Sequence, residues 1–218
     1  MSVKKPEYHY QRNMETCGIC CLLMALDAFG IEYASVSRQE RYYEDYGAKS
    51  TPGTLGSAIA YVLYFKGIKK GLNIKIVHAS EKLLENHGGY FEEEIFRNIL
   101  DEHKSWLKAA ENVKALKKLP EESFVCVGGH YFDCDELSSE LEKGGLVITQ
   151  VFIPGEGGET DKVMHWILLY GEDAGIFNAI DPMPKPVGGN IKLSADELEE
   201  YMNTPFERTY ISVWENGD

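Results

Sequence analysis

Cys17, His165, Asp181 and Gln11 are residue types that together can open a carbonyl–heteroatom bond. A thiolate attacks a carbonyl carbon well when a neighbouring base manages the proton and a donor takes the negative charge developing on the carbonyl oxygen. Cys17 would supply the sulfur, His165 the base that later turns acid, and Asp181 the carboxylate that orients the imidazole. Gln11, six positions before the cysteine, would offer its side-chain amide to the oxyanion.

The elements that must position these groups are legible in the pattern around them. From Cys17 to Phe29 the chain is rich in helix formers with apolar residues at helical spacing, Thr16 can cap the start, and Gly30 is a natural stop. Cys17 therefore falls in the first turn, where unpaired backbone N–H groups and the positive end of the dipole favour negative charge on sulfur. Its own N–H would be a second oxyanion donor. His165 to Gly171 reads as a strand, Glu172 to Ala174 as a turn, and Gly175 to Asp181 as the returning strand before Pro182. A turn centred on Asp173 pairs residues whose numbers add to 346 and sets His165 opposite Asp181. Directly opposed residues share a face with Cβ atoms about 4.5–5.5 Å apart, whereas a slip of one residue sends the two side chains to opposite faces.

With Gln11, with Cys17-Gly18-Ile19-Cys20-Cys21-Leu22-Leu23-Met24, and with His165-Trp166-Ile167-Leu168-Leu169-Tyr170-Gly171 leading to Ile180-Asp181-Pro182, the chain resembles the papain-like cysteine peptidases that process bacteriocins after a double-glycine leader, and their stand-alone relatives. The resemblance covers residues 8–80 and 136–214 and implies four roles: oxyanion-hole Gln11, nucleophile Cys17, general base His165 and orienting Asp181. It implies a thioester acyl-enzyme released by water, hence hydrolysis of a peptide, isopeptide or related amide bond. Attack by an amine instead would make an acyltransferase. A non-catalytic peptide-binding module that keeps the fold is the alternative from a different class. Two departures stand out. Thr16 occupies the position where an acidic residue commonly precedes the cysteine, and residues 82–122 form a charged, helical-looking insertion or cap whose Tyr90, Phe91, Phe96 and Trp106 could line a pocket.

Plainer roles compete for the same residues. Cys20 and Cys21 fit best as small buried side chains, since free cysteine is among the most buried residue types. Alone, His165 reads as a core or edge histidine and Asp181 as a turn residue; their joint arrangement is what points to chemistry. Cys17-Gly18-Ile19-Cys20 is also a C-x-x-C at a helix start, but a redox site of that kind follows an apolar strand, and residues 8–16 are mostly polar. Cys126 and Cys134 flank His130, a spacing that matches no strong zinc signature. No metal and no cofactor is expected.

The remaining expectations are coarser. At 218 residues, with 44% apolar and 26% charged content, one domain with a real core is expected. A net charge of −13 argues against nucleic acid and anionic membrane surfaces as partners, and suits a neutral or basic peptide-like substrate. The amino terminus lacks the apolar run of a secretory signal, and five cysteines, three of them in one helix, give no disulfide framework, so a cytoplasmic location is expected. Oligomeric state is not encoded in any recognisable feature. Helices are expected at 35–46, 54–69, 80–87, 90–119, 134–143 and from a capping box at Ser194. Strands are expected at 72–78, 124–127, 146–153 and 208–214, with a loop at 154–158. Helices first and an antiparallel sheet after make an α+β fold, with a helical layer packed on a mainly antiparallel sheet and the cleft between them.

Overall fold

In the run Trp166-Ile167-Leu168-Leu169 successive residues enter two different cores, which is why it reads as unbroken apolar sequence rather than as an alternation. The computed structural model describes residues 3–13, 15–45, 56–79, 124–155, 158–203 and 208–215. Its helices are α1 (Cys17–Ala28), α2 (Val36–Asp45), α3 (Gly56–Gly67), α4 (Cys134–Glu142) and α5 (Ala195–Met202). Its strands are β1 (Leu72–His78), β2 (Phe124–Gly128), β3 (Leu146–Gly155), β4 (Gly158–Asp173), β5 (Ile176–Asp181), β6 (Gly189–Ser194) and β7 (Thr209–Glu215). They form one seven-stranded sheet in the order β2-β1-β7-β3-β4-β5-β6. β1 and β2 run parallel and every other neighbouring pair is antiparallel.

On one face Ile74, Ile76, Leu146, Ile148, Trp166, Leu168, Ile180, Ile211 and Val213 pack against α1 and α3. On the other, Val77, Val147, Val151, Ile167, Leu169, Ala179 and Tyr210 pack against Leu137 and Leu141 of α4 and Leu198 and Met202 of α5. Each fully buried aliphatic or aromatic side chain contributes about 1.5–3 kcal/mol. The expected single helical layer is thus one of two: the sheet is covered on both faces. β6 was not expected either, because Gly189-Asn190-Ile191-Lys192-Leu193-Ser194 alternates too weakly to announce a strand; it forms by pairing along β5.

α1 is buried on nearly every side, Asp27 being its one residue outside the buried set. It ends as expected at Gly30, which takes φ 67°; the Gly30 N–H bonds the Asp27 carbonyl at 2.9 Å and the Ile31 N–H the Leu26 carbonyl at 2.9 Å, a Schellman ending. Observed boundaries otherwise follow expectation within a few residues, except that β3 and β4 run on to Gly155 and Gly158 through most of the expected loop. The expected helices at 80–87 and 90–119, and the 82–122 insertion with its aromatic residues, lie outside the described residues.

The β4–β5 hairpin departs from the expected register in an instructive way. Its turn is two residues, Ala174 at φ 51° and Gly175 at φ 79°, the twist-matched kind of hairpin turn with both residues left-handed. Asp173 therefore pairs with Ile176, and partnered numbers add to 349. Between Leu169 and Gly171 the ladder shifts: Gly171 faces Asn178, whereas Leu169 faces Ala179 and Leu168 faces Ile180, so that the numbers add to 348. Tyr170 is the extra residue of a β-bulge. Had 349 continued, Asp181 would sit opposite Leu168 and point away from His165. The ladder is last paired at Leu168 with Ile180, and His165 meets Asp181 at 2.8 Å just beyond it, diagonally rather than directly as expected.

Ser194 caps α5 with a complete capping box: its Oγ accepts from the Glu197 N–H at 3.2 Å, and the Glu197 carboxylate accepts from the Ser194 N–H at 2.7 Å. Ser194→Ala is expected to cost about 1 kcal/mol in chemical denaturation, and an unchanged midpoint would show that α5 is held by packing alone.

Candidate active site

Cys17 opens α1 and is 1% exposed; His165, near the middle of β4, is 2% exposed, and Asp181, the last residue of β5, 8%. The His165 Nε2 lies 2.8 Å from Asp181 Oδ1, which leaves Nδ1 free to serve Cys17, whose side chain also acts on the ring. Burial by itself would lower the imidazole pKa. Hydrogen bonding and electrostatic attraction from Asp181 and Cys17 outweigh that and push it up to about 9. The ring is therefore an imidazolium at neutral pH.

Asp181 is fixed from its own loop as well. The same Oδ1 accepts from the Met183 N–H at 2.8 Å. The amino-terminal segment then laces onto this loop: the Tyr8 hydroxyl donates to the Met183 carbonyl at 2.7 Å and the Gln11 N–H to the Pro182 carbonyl at 2.6 Å. Gly188 closes the loop so tightly that a Cβ there would stand 1.9 Å from the Met183 carbonyl oxygen. Gln11, 2% exposed, is held beside the residue that follows Asp181, and six residues further on the chain enters α1 at Cys17.

Thr16 sits at the α1 N-cap, but its side chain does not cap the helix. Its Oγ1 faces backwards, accepting from the Arg12 and Asn13 N–H groups at 3.1 and 3.3 Å and lying 3.1 Å from the Asn13 carbonyl. The hydroxyl that was expected to satisfy the helix start instead folds the Gln11–Cys17 connection. The buried Gln39 of α2 joins it there, its Oε1 accepting from the Arg12 N–H at 2.9 Å and its Nε2 donating to the Tyr10 carbonyl at 2.8 Å. Neither Gln39 nor Tyr8 stood out in the sequence. The one available signal was that Gln39 shares a helix face with Tyr42, three residues on, in an otherwise charged helix.

The other cysteines are used in packing. Cys20 Sγ donates to the His9 carbonyl at 3.3 Å and Cys21 Sγ to the Trp166 carbonyl at 3.4 Å, and burial raises both thiols well above the ordinary range. A C-x-x-C exchange site would need Cys20 accessible and easily ionised. Cys134 opens α4, donates to the Ala195 carbonyl at 3.5 Å, and is pushed up to about 12 by burial and by the nearby Glu199 carboxylate. His130 turns its Nε2 to Glu136, 2.5 Å away. Among the described residues no three His, Cys, Asp or Glu side chains gather to hold a metal, and no helix is long and apolar enough to cross a membrane.

No protein-family model and no curated protein sequence matches the chain. Solved structures do. A protein from Bacillus anthracis described as a C39-like peptidase matches with a TM-score of 0.52 at 11% identity, over 100% of this chain and 98% of that one. The peptidase domain of Streptococcus ComA, a bi-functional ABC transporter of a quorum sensing pathway, matches with a TM-score of 0.46 at 13% identity, over 96% of this chain and 97% of that one. At such identities the first likeness bears on the fold: the chain has the α+β, papain-like peptidase fold that its sequence implied.

His165 is expected to titrate near pH 9 in NMR of the ring carbons, staying protonated through neutrality and losing its proton as pH rises through that value. Asp181→Asn and Cys17→Ala should each lower the midpoint, since each removes a side chain that raises the imidazole pKa. Deleting Tyr170 should bring it back to the ordinary imidazole range by sending Asp181 to the wrong face, whereas Tyr170→Ala, which keeps the residue count, should leave it high. A midpoint indifferent to the deletion would show that the bulge does not set the pair.

Proposed function

We propose that the chain is a cysteine-dependent hydrolase that cleaves a peptide or related amide bond through a thioester acyl-enzyme. One observation carries this: the buried His165 imidazole is held by Asp181 at 2.8 Å and acted on by the Cys17 side chain at the start of α1. Sulfur, ring and carboxylate are the three parts that covalent acyl transfer needs, in the order it needs them. Further support comes from the fold, shared with a protein described as a C39-like peptidase.

In this mechanism Cys17 attacks the substrate carbonyl carbon as the thiolate partner of the His165 imidazolium. The carbonyl π pair moves onto oxygen, where the Gln11 amide and the Cys17 N–H donate to it. His165 Nδ1 passes its proton to the departing amine, the C–N bond breaks, and the thioester remains. Water then gives a proton to the neutral ring as it attacks the thioester, and breaking the C–S bond frees the acid and restores the starting pair. Asp181 keeps Nε2 engaged throughout, so Nδ1 always faces the sulfur.

Cys17→Ala is expected to abolish cleavage of peptide pools followed by mass spectrometry, and Asp181→Asn to lower turnover by about 10³–10⁴-fold, as for orienting carboxylates elsewhere. Iodoacetamide should label Cys17 ahead of Cys20, Cys21 and Cys134, whose sulfurs are buried and protonated. Full activity in Cys17→Ala would end the proposal.

A further inference from the structure

An oxyanion hole works only if its donors are fixed before charge appears, and a side-chain amide is fixed only as well as the backbone that carries it. Gln11 is part of an extended segment, outside any helix or strand, so no ladder of hydrogen bonds holds its backbone. Four hydrogen bonds do so instead. The peptide unit before Gln11 is gripped on both sides, the Tyr10 carbonyl by Gln39 Nε2 at 2.8 Å and the Gln11 N–H by the Pro182 carbonyl at 2.6 Å. The unit after Gln11 is gripped through the Arg12 N–H, which Gln39 Oε1 accepts at 2.9 Å and Thr16 Oγ1 at 3.1 Å.

Fixing the peptide planes on both sides of one residue fixes its φ and ψ, and with them the direction of its Cα–Cβ bond. Gln39 makes two of these four bonds with the two ends of one planar amide, and no other natural side chain of that length offers both a donor and an acceptor at its tip. The same amide reaches the helix start, with Thr16 Oγ1 3.3 Å from its Oε1 and Cys20 Sγ 3.6 Å from its Nε2. Gln39 itself is 1% exposed on α2, so its rotamer is locked by packing. The surface ion pair beside it, Arg12 with Glu40 at 2.5 Å, has both side chains about half exposed and adds little.

We propose that Gln39 is a positioning residue for the oxyanion hole. It clamps the backbone on either side of Gln11, holding the Gln11 amide in register with the Cys17 N–H. The inference rests on the thiol chemistry proposed above and extends it to a residue that touches neither substrate nor the reacting atoms.

Two probes separate this role from general support. p-Nitrophenyl acetate acylates Cys17 with release of p-nitrophenol, and charge develops on its carbonyl oxygen. Iodoacetamide alkylates Cys17 by forming S–C as C–I breaks, with iodide leaving from a saturated carbon, so no oxyanion forms. Gln39→Ala is expected to slow acylation by about 10–100-fold, chiefly in kcat rather than KM. Its alkylation rate and the pH profile of alkylation should stay within about twofold, since the Cys17–His165 pair is untouched. Gln39→Glu, which keeps the acceptor for Arg12 but loses the donor to Tyr10, should fall between that variant and the parent.

Unchanged acylation in both variants would overturn the inference, and so would acylation and alkylation falling in parallel, which marks a merely structural residue. If Gln39→Ala does not fold, the near-isosteric Gln39→Glu decides by the same comparison. Failure of the underlying chemistry looks different: Cys17→Ala would then release p-nitrophenol as fast as the parent, whatever Gln39 does.

Discussion

Side chains along a strand alternate with period two, and that parity is the constraint on which the site rests. His165 and Asp181 are sixteen residues apart on adjacent strands, and they can touch only if the count of residues between them places both on one face. The two-residue turn at Ala174–Gly175 gives the wrong parity, and the bulge at Tyr170 restores it. A β-bulge costs a ladder hydrogen bond and adds local twist. Here that cost accompanies the Asp181 contact, the largest of those that raise the pKa of the buried imidazole against desolvation.

Given the hairpin, the sulfur still has to be brought to it from the other end of the chain. The lacing between residues 8–11 and residues 182–183 does this. Tyr8 and Gln11 each bond a carbonyl in the loop that also feeds the Met183 N–H to Asp181. The segment that leads into α1 is therefore indexed to the carboxylate rather than to the sheet as a whole. Thr16 and Gln39 then fold the short stretch from Gln11 to Cys17, so the start of α1 inherits that position. Fastening of this kind suits a site assembled across long sequence separation, because each bond is short-range once the loop after β5 is closed by Gly188.

Much of this was legible and some was not, for identifiable reasons. Helix α1, its stop at Gly30 and the strand from Leu72 to His78 follow from composition and period, which act locally. The residues Cys17, His165, Asp181 and Gln11 could be singled out because residue type and spacing constrain chemistry, and the structure joins His165 to Asp181 at 2.8 Å with the Cys17 side chain acting on the same ring. The register came out two residues off yet on the correct face, since an even error preserves parity; neither the bulge nor the turn position leaves a trace in alternation when β4 is apolar on both sides. The second helical layer was missed for the same reason: a run such as Trp166-Ile167-Leu168-Leu169 says that both faces are covered without saying by what. Gln39 was missed because a buried polar side chain is defined by partners distant in sequence, and Thr16 was misread because capping and loop-folding draw on the same hydroxyl.

Three thiols within five positions of one helix differ in what stands beside the sulfur. All three are buried to a similar degree, at 1%, 1% and 0% exposure for Cys17, Cys20 and Cys21, so accessibility in this conformation does not distinguish them. Burial disfavours a thiolate, and at Cys20 and Cys21 it acts with no cation beside the sulfur; each proton is instead donated to a backbone carbonyl. Cys17 alone of the three faces an imidazole that is itself held positive by Asp181. In a dry site a charge pair is strong for the same reason that an isolated charge is costly. The burial that keeps two cysteines as packing residues thus strengthens the third one's pairing with His165, and the difference between them is one hydrogen bond delivered by a bulged strand.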